Sequence, residues 1–247
     1  MRRNTNGIRA AALALVLLLL LAPAAVSAAG RKPFGPGEKL TFSIRYGLIR
    51  AGTAELEVTE DPDGSWIFTS RARTNSFFDV FFKVRDQVRA WVDPATMRSL
   101  RFEKRLREGK YSDDEAVVFD HQAGYAIYEE DSTKVPLTPE TRDVLSTFFY
   151  VRTARLNLND KIQMIYHSSK KNWPIHVDVG KVEKVKVPAG EFRCIKIEPF
   201  LKTVGVFKQA GRLSIWITAD ERRMPVKLES KVTFGAFEAV LTDYQTP

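Results

Sequence analysis

The residue types that most often carry catalysis or metal binding are sparse in this chain. His121, His167 and His176 lack the i, i+4 spacing of a helical metal site, and Cys194 is the only cysteine. Cys194 lies where apolar residues alternate with Arg and Lys, and we expect it to have a structural role. We expect His121 to be solvated in a turn, whereas His167 and His176 come together only if their strands pair.

Motifs for nucleophilic or phosphate chemistry are absent from the sequence, which has neither a Gly-x-Ser-x-Gly turn nor a glycine-rich phosphate loop. The cluster Asp113-Asp114-Glu115 lacks the alternating ligand spacing of a calcium loop, and we interpret it as the charged end of a hairpin. Two carboxylates suited to glycoside hydrolysis could still meet in the fold among the 30 acids. We therefore predict a protein without catalytic activity, metal or cofactor, with an enzyme acting on envelope polysaccharide as an open alternative.

A basic segment at residues 98–110 contains six cations and two acids. Strand alternation puts Leu100 and Phe102 on one face and Arg101, Arg105 and Arg107 on the other. The simpler interpretation is a solvated sheet face or a basic edge that resists aggregation. The alternative is a docking surface for a lipid headgroup, a polysaccharide or a partner protein, in which one of these three arginines meets an anionic group.

The most distinctive apolar segment has four phenylalanines within six residues, namely Phe77, Phe78, Phe81 and Phe82. Most apolar runs belong to the core. A short aromatic segment between strands is also typical of a lid over an apolar cavity, and curved antiparallel sheets readily enclose such cavities. Helical spacing places Phe148 and Phe149 on an apolar face that could close the same cavity from the other side.

Period-two alternation of apolar and polar residues dominates the elements that would position these side chains. Residues 40–46 and 54–59 alternate clearly, and turn signals such as Asp61-Pro62-Asp63-Gly64 separate the segments. Residues 175–179 and 182–187 are predicted as two separate strands. The pattern predicts an all-β fold, a large antiparallel half-barrel or sandwich of about 12–14 strands.

Two segments depart from this pattern and predict helical structure. Thr138-Pro139 opens a candidate helix that runs to about residue 156, with Asp143 as a second possible N-cap. Asn75 is a candidate cap for a short helical turn at the aromatic segment.

The first 28 residues have the pattern of a secretory signal that is removed on export. Arg2, Arg3 and Arg9 precede an apolar run at residues 10–22, and Val26-Ser27-Ala28 is the small-residue pattern of a cleavage site. The predicted product is a single periplasmic domain, residues 29–247, which does not span a membrane. This segment holds three arginines and no acids, so its removal lowers the net charge from +8 to +5. Such a diffuse excess does not indicate nucleic-acid binding.

Five phrases resemble the bacterial family known as domain of unknown function 3108, in the same order and over nearly the whole predicted domain. They are FGPGEKL at residues 34–40, YGLIRAGTA at 46–54, DVLSTFFYVR at 143–152, VPAGEF at 187–192, and IWIT at 215–218 leading to RMPV at 223–226. The resemblance implies an exported, mostly β protein with one helix midway and no catalytic motif. The predicted architecture is also similar to the half-barrels of envelope lipoprotein carriers, although a shared fold does not confer function.

Together these observations predict a non-enzymatic periplasmic protein that carries or senses a lipid-like or apolar ligand, with a lipid or lipoprotein ligand or an envelope protein as partner. The aromatic residues would line or gate its site. A structural or interaction protein of the cell envelope is the alternative outside the enzyme class.

Overall fold

A computed structural model describes residues 32–201, 213–232 and 235–247, so the predicted signal at residues 1–28 lies outside the described part. The strands are β1 (Lys39–Tyr46), β2 (Ile49–Glu60), β3 (Trp66–Thr74), β4 (Arg85–Val92), β5 (Ser99–Glu108), β6 (Tyr111–Asp120), β7 (Tyr125–Tyr128), β8 (Lys134–Pro136), β9 (Arg142–Asp143), β10 (Lys161–Ser168), β11 (Lys171–Val187), β12 (Gly190–Leu201), β13 (Leu213–Thr218), β14 (Pro225–Val232) and β15 (Gly235–Gln245). The helices are α1 (Ser76–Asp79) and α2 (Val144–Thr153). Neither helix is long and apolar enough to cross a bilayer.

Alternation of burial explains why most of these segments are strands. In β4, Asp86, Val88, Ala90 and Val92 are buried, while the residues between them are partly exposed. Because successive side chains point to opposite faces, such a strand covers a core with one face and meets water with the other.

All fifteen strands form one sheet, in the order β8-β7-β6-β5-β4-β3-β2-β1-β15-β14-β13-β12-β11-β10-β9. The first and last strands pair at its centre, with Lys39 opposite Gln245, and among the described strands only β9 and β10 run parallel. The two edges are therefore β8 and β9. The prediction of an all-β, largely antiparallel fold with one midway helix is confirmed, although the sheet has more strands than predicted because β8 and β9 are too short to show alternation.

Three local predictions are wrong, each for a physical reason. Residues 175–179 and 182–187 belong to one strand, β11, because a bulge between Val179 and Val182 carries pairing through the break. Leu100 is 36% exposed, because the register shift opposite Trp91 and Val92 leaves it out of the pairing and turns its side chain outward. The midway helix begins at Val144 with Asp143 as its N-cap, and the chain before it, from Thr138, folds as a turn and the short strand β9.

Helix α2 lies inside the curled sheet, and its residues 144–152 are all buried. A helix buried on every face has no solvated stripe, which is why its apolar residues are not confined to one side. Phe149 stacks on Phe68 of β3 with ring centroids 4.0 Å apart, and Phe34 meets both rings edge-on. The helix is therefore a central part of the hydrophobic core.

Buried polar contacts hold both ends of α2. At the start, Asp143 accepts hydrogen bonds from the Leu145 and Ser146 amides, at 2.8 and 2.9 Å, and from the hydroxyl of Ser99 in β5. At the end, the Arg152 guanidinium donates to both carboxylate oxygens of Glu38, at 2.6 and 2.7 Å, and to the carbonyl of Arg223. Burial of this ion pair is tolerable because its hydrogen bonds are satisfied on both sides.

The two edges of the sheet approach each other and are joined by side chains. The Tyr128 hydroxyl lies 2.8 Å from His167 Nε2, and His167 Nδ1 lies 2.7 Å from Asn172 Oδ1. Asn172 in turn donates to the carbonyl of Pro136 in β8. We call this boundary between β7–β8 and β9–β11 the seam. Arg142 of β9 also donates from Nε to the carbonyl of Met97, in the β4–β5 turn, at 2.9 Å.

Candidate ligand-binding site

The candidate site is the aromatic segment that connects β3 to β4, residues 75–84, which includes α1. Asn75 caps this single turn by accepting a hydrogen bond from the Phe78 amide at 2.9 Å, as the sequence predicts. The Asp79 carboxylate accepts from Arg85 at 2.5 and 3.0 Å and from the Thr74 hydroxyl. The Arg85 hydrogen bonds, followed by that of Thr74, hold the pKa of Asp79 below its ordinary value. The segment is thus fastened at both ends.

The four phenylalanines of this segment divide between the interior and solvent. Phe77 is 61% exposed and Phe81 is 73% exposed, and their ring centroids lie 5.6 Å apart. Phe78 is half-buried and packs against the core, and the half-buried Phe82 covers Gly109 in the next turn. An aromatic patch on the surface therefore continues directly into the core.

Below this segment lies a buried pair of carboxyl groups that the sequence analysis did not identify. Asp86 is 4% exposed and Glu108 is fully buried, and Glu108 is among the groups that affect the protonation of the Asp86 carboxyl. Burial raises the pKa of Asp86 to about 6, against the opposing effect of its 2.8 Å hydrogen bond from the Arg107 amide. Both residues alternate in phase with the core side of their strands, and that alternation was the signal available in the sequence.

Phe148 and Phe149 do not join the aromatic segment. They are 2% and 0% exposed in the core, and Phe149 lies against Phe68 near the start of β3. The aromatic segment follows the end of β3 at Thr74, about 20 Å further along the strand. The structure thus places the two sets of phenylalanines towards opposite ends of the same strand.

The arginines of β5 lie on the outer face of the sheet, and acids pair with two of them. Arg101 pairs with Glu103 and Glu129, and Arg107 binds both carboxylate oxygens of Asp114 at 2.6 and 2.8 Å. Arg105 is exposed. Exposed pairs of this kind contribute little to stability, yet they neutralise most of the charge that the sequence suggested for a headgroup.

The acidic cluster is indeed part of a hairpin, since it lies in β6 opposite β5. Lys104 contacts Asp113 at 2.9 Å and Glu115 at 3.7 Å, while Asp114 pairs with Arg107. Burial raises the pKa of Glu115, and the adjacent Lys104 charge opposes that rise. Local cations thus balance the cluster.

The histidines and the cysteine have structural surroundings. His176 is opposite Gln163 and His167 is opposite Asn172, so pairing of β10 with β11 leaves the two rings apart. Burial lowers the pKa of His167 and raises that of the fully buried Cys194 to about 12. His121 is only partly exposed and lies 2.7 Å from the Ser99 carbonyl, rather than being fully solvated as predicted. Within the described ranges, no three His, Cys, Asp or Glu residues are grouped so that they could hold a metal ion.

Comparison with known proteins adds the family and the fold. Residues 41–242 match the family described as protein of unknown function (DUF3108). A comparison with curated proteins found no match.

Among solved structures, the chain is similar to a β-barrel-like protein of domain of unknown function DUF1849 from Brucella abortus. The TM-score is 0.58 at 10% identity, covering 87% of this chain and 99% of that one. A protein with a YmcC-like fold from Bacteroides fragilis is 13% identical with a TM-score of 0.35, covering 89% of this chain and 100% of that one. At such identities the first likeness describes the fold alone.

Proposed function

This chain belongs to the DUF3108 family, and we propose that it is a non-enzymatic protein of the periplasm that binds a lipid-like amphiphile at the aromatic segment. The observation that carries this proposal is the exposed pair Phe77 and Phe81, which is continuous with the core through Phe78. Single exposed hydrophobic residues are ordinary, but an exposed aromatic pair fixed on a capped turn is typical of a binding surface. The signal pattern at residues 1–28 supports the periplasmic location.

An acyl chain is the ligand that fits this surface best. Phe77 and Phe81 present rings without polar atoms, and covering both would contribute about 3 kcal/mol to binding. Because Phe78 and Phe82 already face inward, a flexible chain lying across the exposed rings could extend between the segment and the sheet.

The surroundings of the buried polar groups support a binding role over a catalytic one. Asp143 caps α2, Arg152 pairs with Glu38, and His167 joins the seam. Each of these side chains forms contacts that hold helices or strands together, and each is buried. The proposal therefore contains no chemical step.

The test begins with protein recovered from the cell envelope without detergent and measured by native mass spectrometry. We expect a co-purified lipid mass, and we expect binding of a dansyl-labelled fatty acid, followed by fluorescence. Phe77→Ser with Phe81→Ser should weaken binding of that probe tenfold or more, since covering these rings contributes at least ~1.4 kcal/mol.

Leu158→Ser is the matched control, because Leu158 is also an exposed apolar residue, at 52%, but precedes β10 at the opposite end of the sheet. This variant should bind the probe like the wild type. A wild-type protein that carries no lipid and binds no probe would contradict the proposal and favour an interaction protein of the envelope.

A further inference from the structure

Three neighbouring turns at one end of the sheet form a single continuous surface. They are the β1–β2 turn with its flanking strand residues (45–50), the aromatic segment, and the β5–β6 turn with the first residue of β6 (109–111). Asn75 donates from Nδ2 to the Arg50 carbonyl at 2.6 Å, and its amide donates to the Ala51 carbonyl at 2.9 Å. The Gly109 amide donates to the Lys83 carbonyl at 2.7 Å. We call this surface the rim.

Apolar side chains project from the rim into solvent. Leu48 is fully exposed at the tip of the β1–β2 turn, directly after Gly47, whose φ of 58° suits a tight turn. Ile49 and Val80 are 53% and 81% exposed. Together with Phe77 and Phe81 they make one apolar patch on protruding turns.

Cations surround this patch. Arg50, Lys83 and Lys110 are exposed, one on each turn, and none forms an ion pair with another described residue. The acids nearby are already neutralised or removed from water, because Asp79 is paired with Arg85 and Glu108 is buried. The rim therefore combines exposed apolar groups with unpaired positive charge.

The opposite ends of the same strands have a different character. The β2–β3 turn contains Asp61 and Asp63, and the β4–β5 turn contains Asp93 and Arg98, while Asp120 is the last residue of β6 before the β6–β7 turn. These three turns carry none of the exposed large apolar side chains that the rim carries.

We propose that the rim docks the protein onto an anionic phospholipid bilayer. Leu48, Val80 and Phe81 enter the boundary between headgroups and acyl chains, while Lys83 and Lys110 lie at the level of the lipid phosphates. Apolar side chains insert below the lipid headgroups, and cations are attracted by the negative surface potential of the bilayer. The two effects both increase the affinity for the bilayer. The cations of the rim complement the negative charge of such a bilayer, and its apolar side chains protrude from turns. Both features favour a bilayer over a binding groove on another protein. This inference goes beyond the proposed function, because docking requires no bound amphiphile.

The experiment is co-sedimentation with vesicles of phosphatidylglycerol and phosphatidylcholine in equal parts, compared with phosphatidylcholine alone. Protein is recovered from the cell envelope, and intact mass must show that the apolar segment at residues 10–22 has been removed, since that segment would bind bilayers by itself. We expect binding only to the anionic vesicles, and we expect added salt to weaken it.

Two sets of rim variants avoid the aromatic segment's own rings. Lys83→Glu with Lys110→Glu should weaken vesicle binding by about 25-fold or more, because each cation near an anionic surface contributes about fivefold in affinity. Leu48→Ser should also weaken it. The charge control is Lys184→Glu with Lys186→Glu, two exposed lysines of β11 near the opposite end of the sheet, which should bind like the wild type.

The possible results separate the two proposals. Unchanged vesicle binding by the Lys83/Lys110 variant, or binding that salt does not affect, would overturn the docking proposal. The docking proposal would also be overturned if the wild-type protein bound no vesicles and formed a dimer that Leu48→Ser abolishes, since a second copy of the chain would then cover the rim. The Leu48→Ser variant, whose changed residue lies outside residues 75–84, should still bind the dansyl-labelled fatty acid, and a wild-type protein that docks on the vesicles but binds no probe would contradict only the proposed function.

Discussion

Asp86 is a buried residue whose protonation is coupled to folding. In the unfolded chain its carboxyl ionises near the ordinary value of 3.8, whereas burial raises its pKa in the protein to about 6. A group whose pKa rises on folding favours the folded state fully below pH 3.8, and this contribution is lost as pH rises through 6. Arg107 and Glu108 are its charged or titratable neighbours on the adjoining strand β5.

We expect Asp86→Asn to increase the free energy of unfolding at pH 8 by up to about 3 kcal/mol, because the amide never ionises. At pH 4 the variant and the wild type should have nearly equal stability. Urea unfolding at both pH values measures the difference. Asp79→Asn is the control, since the pKa of Asp79 is lowered and its neutralisation should not stabilise the protein at pH 8. An equal effect of Asp86→Asn at both pH values would contradict this account.

Residue-level prediction from the sequence was successful where a local rule acts. Asn75 and Asp143 were both identified as caps because their side chains need only nearby amides. Asp86 and Leu48 were missed because their roles depend on distant strands: Glu108 reaches Asp86 only through the fold, and Leu48 belongs to the rim only because Asn75 joins its turn to the aromatic segment. Long-range contacts of this kind leave no local pattern.

At the scale of elements, the two caps should differ strongly in importance. Asp143 accepts from two amides and two hydroxyls in a fully buried site, whereas Asn75 caps one exposed turn. We expect Asp143→Ala to lower the free energy of unfolding by about 3 kcal/mol, because the lost cap leaves buried donors without partners. Asn75→Ala should cost about 1 kcal/mol.

Chemical denaturation of the two variants, with Asp143→Asn as the conservative control, checks this expectation. The asparagine oxygen can still accept from the Leu145 and Ser146 amides, so the control should retain more stability than the alanine variant. If Asp143→Ala and Asn75→Ala lowered the free energy of unfolding equally, burial would not increase the contribution of an N-cap to stability.

Element types followed from the sequence better than element limits did. Strong alternation identified the long strands, but the start of α2 was placed too early because Pro139 is as acceptable in a first helical turn as in the turn that actually forms there. The burial of α2 on every side was equally hidden. Its sequence indicates an apolar face, and only the curled sheet determines that the other faces are covered as well.

On the scale of the whole molecule, the seam is the boundary that no backbone ladder closes. The edge strands β8 and β9 are joined across it by side chains, of which Tyr128 is central, because its hydroxyl contacts His167 Nε2 and accepts from the Lys170 amide. Burial keeps His167 neutral by lowering its pKa, so the ring remains a good partner for the hydroxyl at neutral pH. The seam should therefore open more readily than the rest of the sheet, because side-chain contacts open more readily than strand pairing.

We expect Tyr128→Phe to open the seam while leaving the centre of the sheet intact. The change removes a buried hydroxyl and leaves His167 and the Lys170 amide without this partner, which should cost about 2 kcal/mol. Hydrogen exchange followed by mass spectrometry should show faster exchange in β7 and β8 and unchanged exchange where β1 pairs with β15. Tyr125→Phe is the matched control, because Tyr125 lies in the same strand but is 39% exposed and should leave exchange unaltered. If Tyr128→Phe instead accelerated exchange equally in every strand, the seam would be no weaker than the rest of the sheet.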